Sequence, residues 1–460
     1  MAKKCFIESH TILLLSLIIG ACGGLQRVAG PVQPQLEQVA GSRVDEIAHN
    51  DLSSGATGLV VGLYHGGRIQ FLEAWGNPDS EAVEPLSPDA LFAFPAFAEV
   101  LVAAAARALS AARVLDVRTP LARYIPELPQ GLGRVTLDQL LSNTAGLDDL
   151  VTEADDDWSL VLDTLSDRAL FTDPGLIYSP SRYSYPLAIR VLEKVTDRPI
   201  REIITTVVLE PLGMDLSTFD LDEARDLGLA QGYVGSVARE AVDQVGGLPV
   251  VFTTVSDVIQ FLATLRLDLL EGESPFGRPP PEPDVLNGRH FLDGFWMDDF
   301  RGVPSASRSS SSGGFRAEFR HLIVTNTVLV AWGSGSYPGG TARFVENQIA
   351  VSLGLEPEFS PSSTPTRSVV ASPANDEDLA SWAGTYVNGA YKVALTAIAG
   401  GLAYYDGVSE LPVELLSPGL YGVRIADGRI GVRFKLLEIG DRRFVFLMTG
   451  RQLAYALQPE

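Results

Sequence analysis

A carboxylate, a phenol and two guanidinium groups are among the side chains of this sequence that could do chemistry. Glu99 lies in an Ala- and Leu-rich stretch, Tyr178 begins the segment YSP, Arg308 lies within a serine run and Arg316 follows that run. A buried carboxylate with a raised pKa can exchange protons with a phenol or a water, and a guanidinium group binds anions. These residue types predict either a hydrolytic site or a binding cleft.

Several serines near these side chains are further candidate nucleophiles. None has an identifiable base partner in the sequence, and such a serine is usually a loop hydroxyl. They are Ser179, Ser181, Ser184 and Ser309–Ser312. The pattern G-x-S-x-G is absent, which argues against an α/β-hydrolase.

Glu99 and Tyr178 also have structural interpretations. With Pro95 near the first helical position, Glu99 is expected in the first helical turn, where the helix dipole stabilises a carboxylate by roughly 0.3–1 kcal/mol. A tyrosine such as Tyr178 is more often a core or wall aromatic with its hydroxyl satisfied than a general base. Both interpretations remain open at this point.

Metal-binding patterns are weak. The five histidines have no zinc-like spacing, and the acidic run 153–157 lacks the glycine turn and distal glutamate of a calcium loop. We therefore expect no metal and no cofactor.

The charge of the chain excludes one class of partner. Its 460 residues carry 35 Lys plus Arg against 57 Asp plus Glu, a formal net charge of −22. Such a chain has no general affinity for nucleic-acid phosphates, so no nucleic-acid partner is expected. The two cysteines cannot form a disulfide framework.

The N-terminus predicts export. Lys3 and Lys4 precede the apolar run 12–19 and small residues before Cys22, which is the order of a secretion signal. The segment IGAC at 19–22 resembles the lipobox of bacterial lipoproteins, which implies lipidation of Cys22. We expect a signal peptide over 1–21 and a lipid-anchored protein of the bacterial cell envelope, outside the cytoplasm.

Hydrophobic periodicity predicts the elements that position these residues. It indicates a first helix between Leu36 and Ala48, a hairpin around Gly66-Gly67 and a buried helix from Ala96 to Leu115. Shorter helices are predicted at 137–142, 187–195, 199–208 and 255–265, strand character at 320–332, and a helix after Gly340. The order predicts an α+β fold whose sheet is closed from both chain ends around a helical insert.

Composition also predicts the domain boundaries. A tether at 22–33 and a large domain at 34–356 precede a Pro- and Ser-rich linker at 357–377, and a Pro-rich loop is predicted at 272–288. Short alternating segments over 378–460 predict a small antiparallel barrel or sandwich.

Several phrases along the large domain resemble the serine β-lactamase and penicillin-binding-protein superfamily, in its class C or esterase-like branch. They are LSPDALF at 86–92, ARVLDVRTPLARYIPELP at 112–129, VTLDQLLSNTAGL at 135–147, YSP at 178–180 and LEPLGM at 209–214. The resemblance implies a β-lactamase-like antiparallel sheet flanked by helices, and the tail is similar to a lipocalin-like domain.

The catalytic positions depart from that family. Its Ser-x-x-Lys falls on Ala96-Phe97-Ala98-Glu99, its Tyr-x-Asn ends at Pro180, and its late His-x-Gly or Lys-Thr-Gly strand falls near Arg308. Alanine has no oxygen to acylate. A carboxylate at 99 would raise the pKa of a neighbouring tyrosine and repel an anionic substrate. The resemblance therefore implies degenerate motif positions at Ala96, Glu99, Tyr178 and Pro180.

Three hypotheses follow. The first is an envelope lipoprotein that has lost acyl-enzyme chemistry and keeps its cleft for binding or scaffolding, with Tyr178, Arg308 and Arg316 as candidate binding residues for an unknown envelope ligand or protein. The second is a surviving esterase or peptidase that uses another serine, or a water activated by Glu99 and Tyr178. The third is an interaction protein in which the C-terminal β domain matters most.

Overall fold

The protein is described here from a computed structural model. The described residues are 42–147, 170, 172–265, 290–335 and 379–459, the last range without 389–390, 400, 406–408, 418–419, 425–429, 440–441 and 450–452. The predicted signal peptide, Cys22, the tether, the acidic run, the Pro-rich loop, the linker and the helix after Gly340 lie outside these residues. Within them, no helix is both long and apolar enough to cross a membrane.

The described residues form two compact units. One takes those within Met1–Val117, Leu192–Arg278 and Leu292–Thr364, and the other takes those within Arg118–Val191, Pro279–Phe291 and Pro365–Glu460.

The main sheet has strands from both ends of the large domain. Its order is β2-β1-β13-β12-β11-β10-β9, and β1 pairs antiparallel with β13. The strands are β1 (Ala56–His65), β2 (Arg68–Gly76), β9 (His290–Leu292), β10 (Phe295–Phe300), β11 (Val303–Ser312), β12 (Phe315–Leu322) and β13 (Thr327–Gly335). The predicted closure of the sheet from early and late strands is confirmed.

Short strands and helices fill the space between these strands. The strand pairs are β3 (Phe92–Ala93) with β8 (Phe252–Thr253), β4 (Gly232–Val234) with β5 (Val237–Arg239), and β6 (Gln244–Val245) with β7 (Leu248–Pro249). The described α-helices are α1 (Ser42–Ser53), α2 (Pro95–Ala111), α3 (Gln130–Gly133), α4 (Leu137–Leu141), α5 (Ser184–Thr196), α6 (Ile200–Ile204), α7 (Glu210–Leu212), α8 (Leu221–Asp226) and α9 (Val255–Thr264). A 3-10 turn spans Leu121–Arg123 and a π-helical turn spans Thr205–Leu209.

The pleat of the sheet separates its two faces, because residues directly opposite in an antiparallel pair point the same way. Arg308 is opposite Phe319, which is opposite Val330, which is opposite Gly62. A Cβ on Gly62 would lie 2.4 Å from a methyl group of Val255, so α9 packs against this face. The other face packs on α1 through a cluster that includes Ala48, Leu59, Val61, Leu63 and Ala331.

The C-terminal strands close into an eight-stranded antiparallel barrel. They are β14 (Gly384–Asn388), β15 (Tyr391–Ile398), β16 (Gly401–Tyr405), β17 (Glu410–Ser417), β18 (Leu420–Arg424), β19 (Ile430–Ile439), β20 (Arg442–Thr449) and β21 (Leu453–Pro459). Aromatic and branched side chains, among them Trp382, Tyr386 and Phe434, form its core. The sequence predicted a barrel or a sandwich, and the structure has the barrel.

Several predicted element bounds need correction. The first helix continues past Ala48 to Ser53, and Gly55, with a φ of 111°, follows it. The strand predicted at 320–332 is two strands, β12 and β13, separated by a turn at Asn326, whose φ is 45°. Pro199 is the residue before α6 and not its first helical position.

Candidate active site

The residues that the sequence resemblance aligns with Ser-x-x-Lys, Ala96 to Glu99, lie at the start of helix α2. Pro95 is the first residue of that helix, and its fixed φ favours helix initiation there. Ala96 and Glu99 are three residues apart, so their side chains lie on one face of the helix. Both are partly exposed, whereas Phe97 and Ala98 between them are fully buried. The face that would carry a nucleophile and its base is therefore formed, but it presents a methyl group and a carboxylate.

Glu99 binds Arg308 on strand β11. The Nη2 of Arg308 donates a hydrogen bond to Oε2 of Glu99 at 2.6 Å, and the two side chains are 18% and 13% exposed for Glu99 and Arg308 respectively. An ion pair with so little water is much less screened than a surface pair. Arg308, the predicted cation for an anionic ligand, thus has Glu99 as a carboxylate partner within the protein. Its role in ligand binding stays a prediction.

The position of Glu99 differs from the first-turn prediction. It is the fifth residue of α2, and the first turn contains no acidic residue. The effect of the helix dipole falls off within the first turn. Arg308, and not the helix terminus, is the main stabilising partner of this carboxylate.

Burial raises the pKa of the Glu99 carboxyl above its usual value, and the charge and hydrogen bond of Arg308 act in the opposite direction. The raised pKa means that desolvation of the charged form outweighs the attraction of the guanidinium group. Ionised Glu99 is therefore a net cost to folding at neutral pH.

Arg316 does not lie with Arg308. On β12 it is one residue from Phe315 and Ala317, which are buried on the face that carries Phe319. Alternation places Arg316 on the opposite face of the sheet, where it is exposed. Its predicted binding role therefore belongs to a different surface from that of Glu99.

A cluster of aromatic side chains packs around Phe97 in the first turn of α2. The ring of Phe97 meets those of Phe94, Phe261 and Phe319 at centroid distances of 5.6, 5.2 and 6.0 Å. Phe92 stacks on Trp332 of β13 at 5.0 Å. Edge-to-face and stacked pairs of this kind add about 0.5–1.5 kcal/mol each beyond their burial. The backbone that presents Ala96 and Glu99 is consequently rigid.

A second contact fixes the middle of α2. Arg107 forms a two-bonded ion pair with Asp293, at 2.9 and 2.8 Å, and Asp293 is 1% exposed. Gly294 follows with φ of 85°, and a Cβ there would lie 2.7 Å from the backbone nitrogen of Val100. Only glycine permits this close approach of the β9–β10 turn to the helix.

Tyr178 lies in the other unit and is 5% exposed. Its ring packs on Phe291 with a centroid distance of 5.8 Å. The adjoining Ser179 is 1% exposed, and its backbone N–H donates to the carbonyl oxygen of Asn143 at 2.8 Å. Asn143 has a φ of 54°. The segment after Tyr178 is thus part of a packed wall, and Pro180 offers that wall no side-chain donor.

Sequence reasoning missed one polar residue of this wall. Asn388, the last residue of β14 in the barrel, donates from Nδ2 to Oγ of Ser179 at 2.9 Å. Nothing in the sequence near Asn388 indicated such a contact, since the two residues are 209 positions apart. Among the described residues, no group of His, Cys, Asp or Glu is arranged to hold a metal ion.

Comparison with known proteins places this geometry in a family. The β-lactamase family model matches residues 36–353. Esterase EstB of Burkholderia gladioli is 29% identical over 183 residues, covering 34% of this chain and 45% of that protein. The chain thus matches less than half the length of this curated relative.

Solved structures give the same fold over more of the chain. SurE aligns with a TM-score of 0.70 at 19% identity, over 93% of this chain and 99% of that one. The octameric penicillin-binding-protein homologue from Pyrococcus abyssi has a TM-score of 0.61 at 16% identity, over 90% and 99%. The β-lactamase/D-alanine carboxypeptidase of Pseudomonas syringae has 0.58 at 16%, over 71% and 99%. The β-lactamase family model matches residues 36–353, which is more than half of the chain, and the protein therefore belongs to the β-lactamase family.

Proposed function

We propose that this protein is a member of the β-lactamase family without acyl-enzyme chemistry, whose cleft binds or scaffolds an envelope ligand or protein. The observation that carries the proposal is the pairing of Glu99 with Arg308, one helical turn after Ala96. Covalent catalysis in this fold class needs a hydroxyl and a base on that face of the helix. Here the face holds a methyl group and a carboxylate already engaged with a cation.

The losses at three positions support one another. Ala96 removes the nucleophile, Glu99 replaces the base by an acid, and Pro180 removes a side-chain amide. The surrounding frame is intact: the aromatic cluster and the Arg107–Asp293 pair hold α2 in place. A preserved frame with altered reactive groups favours a binding role over a collapsed site.

Export as a lipoprotein is the second part of the proposal, and it rests on the N-terminal sequence. Lipidation of Cys22 would anchor the protein to a membrane outside the cytoplasm. Metabolic labelling with radioactive palmitate tests it: the chain should take up label, and the Cys22→Ser variant should not. Equal labelling of the two would contradict the anchor.

A surviving hydrolase is the alternative, because the relatives include a named esterase and a β-lactamase/carboxypeptidase. Its support within this chain is the raised pKa of Glu99, which suits acid–base work. The proposal predicts that p-nitrophenyl butyrate and nitrocefin are hydrolysed no faster with the protein than in buffer. Turnover that falls in Glu99→Gln or Tyr178→Phe would establish the alternative, and turnover unchanged in both would assign it to other residues.

A further inference from the structure

The barrel contacts the Tyr178 segment at a buried polar bond. Asn388 ends β14 at the rim of the barrel, opposite Tyr391 of β15. Asn388 and Ser179 are each 1% exposed, and the bond between them is 2.9 Å long. Buried amides and hydroxyls are costly unless they are hydrogen-bonded, so each holds the other in place.

This bond continues into the helical insert. Ser179 receives the amide of Asn388 on its hydroxyl and donates its own N–H to Asn143. Asn143 follows helix α4 and has the αL conformation. Barrel rim, Tyr178 segment and the end of α4 are therefore joined by consecutive hydrogen bonds.

A second attachment lies on the outer face of β20. Arg442 forms an ion pair with Asp173 at 3.0 Å and a hydrogen bond to Thr172 at 3.2 Å. A Cβ added to Gly146 would lie only 2.3 Å from the carbonyl oxygen of Thr172, so glycine is needed for this close approach. The stretch from 172 to 179 thus contacts the barrel at both of its ends.

The outward side chains near Arg442 are buried as deeply as the core of the barrel. On β19 and β20 the inward residues include Leu436 and Val445, and pairing places Leu437 and Phe444 on the outer face. Leu437 is 1% exposed and Phe444 is 0% exposed. These two side chains would be exposed to solvent if the barrel stood alone. Their low exposure shows that other residues of the chain cover this outer face.

From these contacts we propose that Asn388 is a positioning residue for the Tyr178–Pro180 segment. The barrel would then set the conformation of that wall through the bond from Asn388 to Ser179. The inference concerns the wall itself and does not depend on whether the protein is catalytic.

Hydrogen exchange by mass spectrometry on the full chain tests this proposal. Asn388→Leu keeps the approximate size but leaves the Ser179 hydroxyl without its donor. Peptides covering 174–185 should exchange roughly tenfold faster, because a buried polar group has lost its partner. Ser179→Ala reports the same bond from the other side and should speed exchange at 384–388. In the Asn388→Leu/Ser179→Ala double variant both partners are apolar. Its exchange at 174–185 and 384–388 should be slower than the sum of the two single-variant effects predicts.

The matched control is an exposed pair elsewhere on the barrel. Arg424 bonds Glu414 through two hydrogen bonds, and their side chains are 51% and 42% exposed. Glu414→Gln should leave exchange at 174–185 unchanged. If Asn388→Leu speeds exchange only within the barrel, or if the double variant shows simple additivity, the proposal is wrong. If Asn388→Leu fails to fold, Ser179→Ala decides: unchanged exchange at 384–388 overturns it.

Discussion

Replacing either member of the Glu99–Arg308 pair alone is expected to cost about 3–5 kcal/mol of unfolding free energy, because the remaining, largely buried side chain loses this ion-pair contact. The variants are Glu99→Leu and Arg308→Met. The double variant should unfold within about 1 kcal/mol of the natural protein, or be more stable, since buried ion pairs are often no better than apolar side chains of similar volume. Urea unfolding at pH 7.5 measures all four proteins.

The raised pKa of Glu99 predicts a separate pH dependence of stability. Burial raises the pKa of Glu99 in the folded state. Its contribution to stability is therefore greatest below the unfolded pKa and is lost as the pH rises through the folded pKa. Glu99→Gln should remove this fall of stability with rising pH. Additive losses in the double variant would show that the two side chains act separately, and would contradict the account of the pair.

A second large effect is expected from His321 as the solution is acidified. Its side chain is 1% exposed, and burial lowers its pKa from 6.5 to about 4. The neutral ring is favoured in the fold, whereas the unfolded chain takes up a proton near pH 6.5. This contribution to stability is fully present above pH 6.5 and is lost as the pH falls to about 4, a loss of about 3 kcal/mol.

Burial lowers the pKa of His321, whereas its hydrogen bond to Asn326 acts in the opposite direction and raises the pKa. The amide nitrogen of Asn326 donates to the carbonyl oxygen of Ala263, so its Oδ1 faces the ring and accepts from Nε2 at 2.8 Å. The other ring nitrogen, Nδ1, is buried with no hydrogen-bond partner among the described residues. A second proton would therefore be added to Nδ1, where the new N–H group would have no hydrogen-bond acceptor in the described part of the chain.

His321→Gln keeps a donor for Asn326 and does not titrate, so it should flatten the pH dependence between 6.5 and 4. Urea unfolding of both proteins at pH 7.0, 5.5 and 4.5 measures the difference. The matched control is His49→Gln on α1, where the histidine is exposed. A His321→Gln protein that loses stability on acidification as steeply as the natural one would refute this assignment.

Local signals in the sequence explain why much of the fold could be predicted. The Gly66-Gly67 hairpin, helix α2 and the alternating strands of the tail each depend on neighbours a few positions away. The same reasoning placed Ala96 and Glu99 on one helical face. Sequence reasoning failed where tertiary contacts determine the environment of a side chain. The first-turn interpretation of Glu99 did not include its burial against Arg308 of β11.

Long-range pairs could not be predicted. Glu99 meets Arg308 across 209 positions, and the serine run around Arg308 has no anchoring motif to fix its register. Ser179 meets Asn388 across the same separation. Strand alternation also separates Arg316 from Arg308, but only once the pairing of β11 with β12 is known. Side-chain partners of this kind follow from topology and not from spacing.

The proposed loss of acyl-enzyme chemistry can be tested by intact-mass spectrometry, which detects a covalent adduct on any serine of the chain. The purified protein is incubated separately with a fluorophosphonate and with a labelled penicillin, beside a competent serine β-lactamase that shows both probes to be reactive. The account predicts an unchanged mass in both reactions. A stoichiometric covalent adduct on any serine would contradict it.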